Sequence, residues 1–368
     1  MTDRALADLR ILDFSRVLAG PLATMVLADL GATVTKVERP GTGDETRTWG
    51  PPHDATGTAT YFQSVNRNKQ SVVLDLSEPE DRRRALELAA ASDVIVENFR
   101  PGVMDRLGLG YDQLVSEQPG LVYCSITGFG RAGGASLPGY DLLVQALGGL
   151  MSITGEPDRE PQKVGVALVD VVAGLFAATG VLAALRHRDR TGEGQRVEVD
   201  LLSALLAGLV NQAQAYTSAG VVARRMGNEH PSIAPYEVYG DLVVAVGNDR
   251  QFGELCAIAG VRELAADARF ADNGSRVANR AELREALAPA LARRPASEWV
   301  ELLTAAGVPA GRVNDIGQAF QLAQSLGLDP IAEIPRDGVE PFRTARNPIR
   351  LSRTPARYDS APPPLEPR

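Results

Sequence analysis

An α/β fold with a parallel sheet is what the first 220 residues predict, on two observations. Short β-like runs alternate with helical runs, the pattern of a parallel sheet covered by helices. That texture then changes after about residue 220. In order, "RILDFS" (10–15) reads as a strand and "GPLATMVLADLG" (20–31) as a helix stopped by glycine. The β-branched "ATVTKVER" (32–39) is the second strand, followed by a Gly- and Pro-rich loop over 40–58. "SVVLDLS" (71–77) leads into a helix over 78–92, where Ser77 and Glu80 have capping-box spacing. "DVIVENF" (93–99) and "LVYCSITGFG" (121–130) add two strands, and 194–216 passes from strand period to helix period. Beyond 220, "PYEVYGDLVVAVGND" (235–249) reads as a β-hairpin turning at Gly240 and Asp241, with charged helical segments after it. The expected organisation is a large domain over 1–221 with a C-terminal return over 331–368, and a smaller α+β domain over 222–330.

Composition removes several function classes. The 368 residues carry a formal net charge of −8, which argues against a general nucleic-acid or anionic-membrane surface. A polyanionic ligand must therefore be met by local arginines and lysines. His53, His187 and His230 lie in unrelated segments, so no metal site is expected. Two distant cysteines, Cys124 and Cys256, and a charged opening segment without a signal-peptide core predict a cytoplasmic protein. The apolar run "VGVALVDVVAGLFAATGVLAAL" (164–185) has the length of a membrane span. It is Ala- and Gly-rich, carries Asp170 and has basic residues at both ends, so it reads as a strand end running into a buried core helix.

The strand–loop–helix–strand opening invites a dinucleotide site with Glu38 on a ribose. The loop "SRVLAGP" lacks the glycine fingerprint, which argues against it. Open α/β sheets bind ligands outside the carboxyl ends of their strands, so Arg16, Arg39, Arg67, Lys69, Arg100 and Arg106, near element ends, are candidates to converge on one anion or to be solvated surface charge. Asn98 joins Arg100 and Arg106 around a Pro-Gly turn straight after a strand. Tyr140 and Asp141 fall at a helix start; Asp141 reads as a cap, and the Tyr140 phenol as a packing ring or a ligand contact. Asp170 reads by position as a helix N-cap. The same place suits a nucleophilic carboxylate, kept ionised by the helix dipole and backbone N–H donors against the opposing effect of burial.

Eight blocks in order, among them "ILDFSRVLAGPLATMVLADLGATVTKVERPGTGDETR", "VENFRPGVMDRLGLGYDQL", "PGYDLLVQALGGLMSITG" and "GVALVDVVAGLFAATGVLAAL", resemble the family III CoA-transferases across essentially the whole chain. The resemblance implies a Rossmann-like large domain and an interlocked homodimer. It implies acyl-CoA and carboxylic acid substrates, with coenzyme A as a substrate and no tightly bound cofactor. It places Asp170 as the catalytic aspartate and Arg16, Arg39, Leu74, Asn98, Arg106 and Tyr140 as CoA contacts. Formyl-CoA transferase has histidine in place of Arg16, and the racemase branch has histidine in place of Tyr140, which argues against the alternative of an acyl-CoA racemase. A non-catalytic acyl-CoA binder, with Asp170 a cap only, is the other alternative. The stretch 227–252 resembles the branch with succinyl-CoA-type donors, which points to a dicarboxylate. Oxyanion donors are expected from the Gly-rich segments 148–155 or 128–134.

Overall fold

The computed structural model describes residues 4–365. Its main sheet holds six parallel strands: β1 (Arg10–Asp13), β2 (Thr33–Glu38), β3 (Lys69–Val73), β4 (Val94–Glu97), β5 (Val122–Thr127) and β6 (Arg196–Asp200). Their order is β3-β2-β1-β4-β5-β6, the doubly wound arrangement in which strand order reverses between β1 and β4. The central strands are apolar on both faces, as helices on both sides require, and Ile11, Leu12, Val94, Ile95 and Val122 are buried. The reversal opens a crevice beyond the carboxyl ends of β1 and β4, so the loops after them, 14–18 and 98–102, become its walls.

Two helices carry the rest of the frame. Ala19–Asp29 and Leu168–Thr191 lie against each other through Gly174, where a Cβ would come within 2.6 Å of the Ala19 carbonyl. Only glycine permits that approach. Gly174→Val therefore forces the helices apart, and thermal unfolding should show a loss of about 1–3 kcal/mol.

Two compact units divide the chain: 1–150 with 163–221 and 329–368, and 151–162 with 222–328. The large domain was expected unbroken to 221; instead the chain leaves it after Leu150 and re-enters at Lys163. The second unit contains an antiparallel sheet of β7 (Tyr236–Tyr239), β8 (Leu242–Ala245) and β9 (Ala310–Arg312), with Gly240 left-handed in the β7–β8 turn. Its core gathers Trp299, Leu255, Phe252, Val244 and Leu303. In the first unit, β10 (Ile331–Arg336) and β11 (Val339–Ala345) form a separate hairpin.

Three local expectations are corrected. The residues before Leu168 form no strand, because the apolar run turns into helix only there and continues to Thr191. That helix is also not a fully buried core element: Leu175 and Phe176 are about half exposed (48% and 47%). Ser77 makes no capping box, since its hydroxyl and N–H both bond Asp75; Glu78 is the N-cap and Pro79 opens the helix.

Candidate active site

The loop after β1 is held from two sides. Asn98, just past β4, accepts from the Arg16 N–H through Oδ1 (2.9 Å) and donates to the Arg16 carbonyl through Nδ2 (2.7 Å). These bonds join the two crevice loops across the strand-order reversal. On the other side the Val17 N–H donates to Asp44, 3.3 Å from Oδ2. Between the two contacts Val17 adopts φ +71°, a left-handed backbone that a β-branched residue adopts only under constraint. Arg16 then reaches across to Glu45, with Nη1 to Oε1 at 2.6 Å, and lies over the Phe99 ring at 4.9 Å.

Two cavities share Arg16 and Phe99 as a common wall. One, about 310 Å³, lies at the carboxyl ends of β2 and β3 and is lined by Arg16, Arg39, Leu74, Leu76 and Leu107 among others. The other is a cleft of about 190 Å³ bounded by Glu45, Asn98, Arg100, Tyr140 and Asp170, with Gly128, Phe129, Gly130 and Gly134 along one side. Of the two Gly-rich segments expected near the chemistry, 128–134 lines this cleft and 148–155 does not.

Asp170 is not the helix N-cap. Ala167 occupies that position, and Asp170 stands one turn in, half-buried on the cleft wall. The capping is done from another helix: Asp141 Oδ1 accepts from the N–H groups of Val169 (2.8 Å) and Asp170 (3.2 Å). Gln145, fully buried, fixes Asp141 by donating to Oδ2 (2.6 Å), while its own carbonyl accepts from the Val164 N–H (2.9 Å). The backbone donors expected to keep Asp170 ionised are thus taken by a second carboxylate. Burial first, and the charge of Asp141 second, push the Asp170 carboxyl up to about 7. Among the described residues none donates a hydrogen bond to it. The result is a desolvated, unpartnered carboxylate more basic than an ordinary aspartate. Burial, then the charges of Asp170 and Asp141, also push the Tyr61 phenol to about 12, so it stays a donor. Its ring stands edge-on to Trp49 at 5.3 Å.

The structure brings Asp170, Arg16, Asn98 and Tyr140 together on the cleft, and Arg16, Arg39 and Leu74 together on the neighbouring cavity. Tyr140 is 64% exposed and packs little, so the packing-ring reading does not hold. Arg106 lines neither cavity. The arginine convergence is narrower than expected. Arg67, before β3, is buried in an ion pair with Asp29 away from the crevice, and Lys69, opening β3, is buried with its ammonium on Asp13 at the end of β1; neither lines a cavity. Glu38 is not free for a ribose either, since it accepts from Arg47 (2.6 and 2.7 Å), Ser71 and the Asp44 N–H. Sequence reasoning missed Glu45, Tyr61 and the capping of one helix by Asp141 of another. The "GDE" turn could have flagged Glu45; nothing local signals the other two.

A six-stranded doubly wound sheet with an unpartnered basic carboxylate beside its crevice, and no glycine fingerprint in the first loop, is a frame unlike that of a dinucleotide oxidoreductase. Residues 6–367 match CoA-transferase family III, and the chain belongs to that family. It is 42% identical to the succinate–glutarate CoA-transferase of Agrobacterium fabrum over 98% of this chain and 92% of that one. It is equally 42% identical to the succinyl-CoA:glutarate CoA-transferase of Mus musculus, over 98% of this chain and 84% of that one. Among solved structures it resembles a CaiB/BaiF family protein from Brucella suis, with TM-score 0.88 and 42% identity over 98% and 96% of the two chains. The chain is a CoA-transferase, and CoA thioesters are its substrates.

Proposed function

We propose that the chain moves CoA from succinyl-CoA to a second dicarboxylic acid, with Asp170 as the covalent carrier. The observation that carries the reading is Asp170 itself, a carboxylate raised to about 7 and without a donor among the described residues, on a cleft that shares Arg16 and Phe99 with a second cavity. An Asp170 oxygen attacks the thioester carbonyl, the C–S bond breaks, and a mixed anhydride and CoA thiolate form. The thiolate then attacks the Asp170 carbonyl and expels the donor acid, leaving an aspartyl-CoA thioester. The acceptor carboxylate attacks that thioester, again giving an anhydride and free thiolate, and thiolate attack on its acyl carbonyl releases the new acyl-CoA and Asp170. Each anhydride lies uphill of its thioester, so CoA must stay bound throughout. Contacts to the nucleotide, remote from the bonds exchanged, supply that hold.

In this reading Arg39 and Leu74 receive the nucleotide end of CoA, Arg16 stands where the pantetheine arm passes between the cavities, and Tyr140 meets the thioester end. In the same reading, backbone N–H groups of Gly128, Phe129 or Gly134, on the cleft wall, receive the oxyanion. Arg106, outside both cavities, would reach CoA only by moving. Arg16 is neutralised by Glu45, whereas Arg100 lines the cleft with no ion-pair partner among the described residues. It is the group to meet the far carboxylate of a dicarboxylic acid. Arg100→Ala should raise KM for glutarate about tenfold or more while leaving a monocarboxylic acceptor within about twofold, as loss of one charged contact to the substrate predicts.

The reading includes a second copy of the chain. Phe176 on the Asp170 helix, Leu147, and Val210 and Tyr216 on Val210–Ala219 are exposed apolar side chains of a kind that a partner subunit covers. Light scattering at micromolar concentration should report a homodimer. The substrate assignment is tested by a panel of acyl-CoAs against carboxylic acids, with new thioesters scored by mass spectrometry. Succinyl-CoA with a C4–C6 dicarboxylate should dominate; equal turnover of monocarboxylates would overturn the assignment.

A further inference from the structure

Behind the Arg16 loop lies a closed set of charges that the chemistry above does not use. Lys36, on β2, and Lys69, opening β3, are fully buried with Asp13 at the end of β1 and Asp44 in the loop after β2. Lys36 Nζ sits 2.9 Å from Asp44 Oδ2 and donates to the Ser15 carbonyl at 2.7 Å. Lys69 donates to Asp13, which itself accepts from the Ser15 N–H and hydroxyl and from Thr24. Burial works against the Lys36 charge, yet Asp44, Asp13 and Glu38 outweigh it and hold its ammonium above the ordinary lysine range. Lys36 is therefore charged, whereas burial draws Lys69 down to about 8. Lys69 also donates to Pro21 and Asn66, and Asp44 also accepts from Thr46, but the set reaches the loop after β1 at Ser15 and Val17, with Asn98 holding Arg16 between them. Ser15 is bonded by Asp13 and Lys36, Arg16 by Asn98 across the crevice, and Val17 by Asp44. Val17 is the one of the three forced into the left-handed region.

We infer that Asp44, backed by Lys36, is a positioning residue for CoA binding: it holds Val17 left-handed so that the Arg16 side chain projects into the wall between the two cavities. A valine there disfavours the native backbone, and with Asp44 gone the loop spends much of its time in other conformers from which Arg16 does not reach the wall. Affinity falls by the fraction of the competent state. Glycine populates positive φ without penalty, so in a Val17→Gly background Asp44 has little left to hold.

The inference rests on the reading of Arg16 as a CoA contact, and the test separates the two. Asp44→Asn should raise KM for succinyl-CoA about tenfold with kcat within about threefold, and in the Val17→Gly background the same change should raise KM less than about threefold. A loss of packing alone would lower the thermal midpoint without that rescue of KM. An unchanged KM in Asp44→Asn, or a tenfold rise that persists in the Val17→Gly background, overturns the inference. If Arg16→Ala leaves KM unchanged, the CoA reading of Arg16 fails; if it raises KM and Asp44→Asn does not, only the positioning role fails. Should Asp44→Asn not fold, Asp44→Glu, which keeps the charge beside Lys36 but displaces the acceptor of the Val17 N–H, is put through the same cycle with the same two outcomes.

Discussion

Asp170→Asn lowers kcat for CoA transfer by at least about 10³-fold, the scale of removing a covalent nucleophile, while leaving the chain folded and more stable. The second half of the result follows from proton linkage. The folded carboxyl titrates near 7 against 3.8 for the ordinary group, so between those values the folded state keeps a proton that the unfolded state has lost. Stability on this account is present in full below about pH 4, falls as pH rises toward 7, and stays lost above it. Asparagine has nothing to ionise. Its advantage at pH 8 is on the order of 2 kcal/mol, half the value the full shift gives, because the carboxyl is only half-buried on the cleft wall. At pH 4 wild type and variant should unfold at the same denaturant concentration. An inactive variant that is destabilised at pH 8 would contradict the picture of a carboxylate held against its preference.

Asp141→Ala comes second, with an expected loss of about 10²-fold in kcat, because it uncaps the Val169 and Asp170 N–H groups and frees the first turn that aims the nucleophile. Asp141→Asn is the more discriminating change. Its amide oxygen still accepts from both N–H groups, but the like charge beside Asp170 is gone. In wild type kcat/KM should rise with pH and level off above about 7 as Asp170 ionises; in Asp141→Asn that limb should move to lower pH, with the plateau reduced. The Tyr61 phenol, at about 12, does not titrate in the range. A limb that stays in place would mean that the acid group seen by kinetics is not Asp170.

Much of this was legible in the sequence because it is periodic or local. Strands flanked by helices on both faces are short continuous apolar runs, and those runs located β1 through β6 to within two residues of each start. The crevice followed from the fold class alone, and the Arg16 loop and Asn98 turn lie where the strand order reverses. What was not legible depends on partners distant in sequence. Lys36 and Lys69 look like ordinary strand lysines until Asp13 and Asp44 are brought beside them. Asp141 looks like the cap of its own helix, and only folding places it at the head of another 28 residues on. The sign of the Asp170 shift was set first by burial, and Asp141 added to it while taking the N–H donors credited with stabilising the charge.

The measurement that bears most directly on Asp170 as the covalent carrier is peptide mass spectrometry after incubation with succinyl-CoA, without acceptor acid, and quenching in hydroxylamine. The account predicts a hydroxamate on the peptide containing Asp170, absent without the thioester and absent in Asp170→Asn. An unmodified Asp170 in enzyme that turns over once the acceptor acid is added would contradict it.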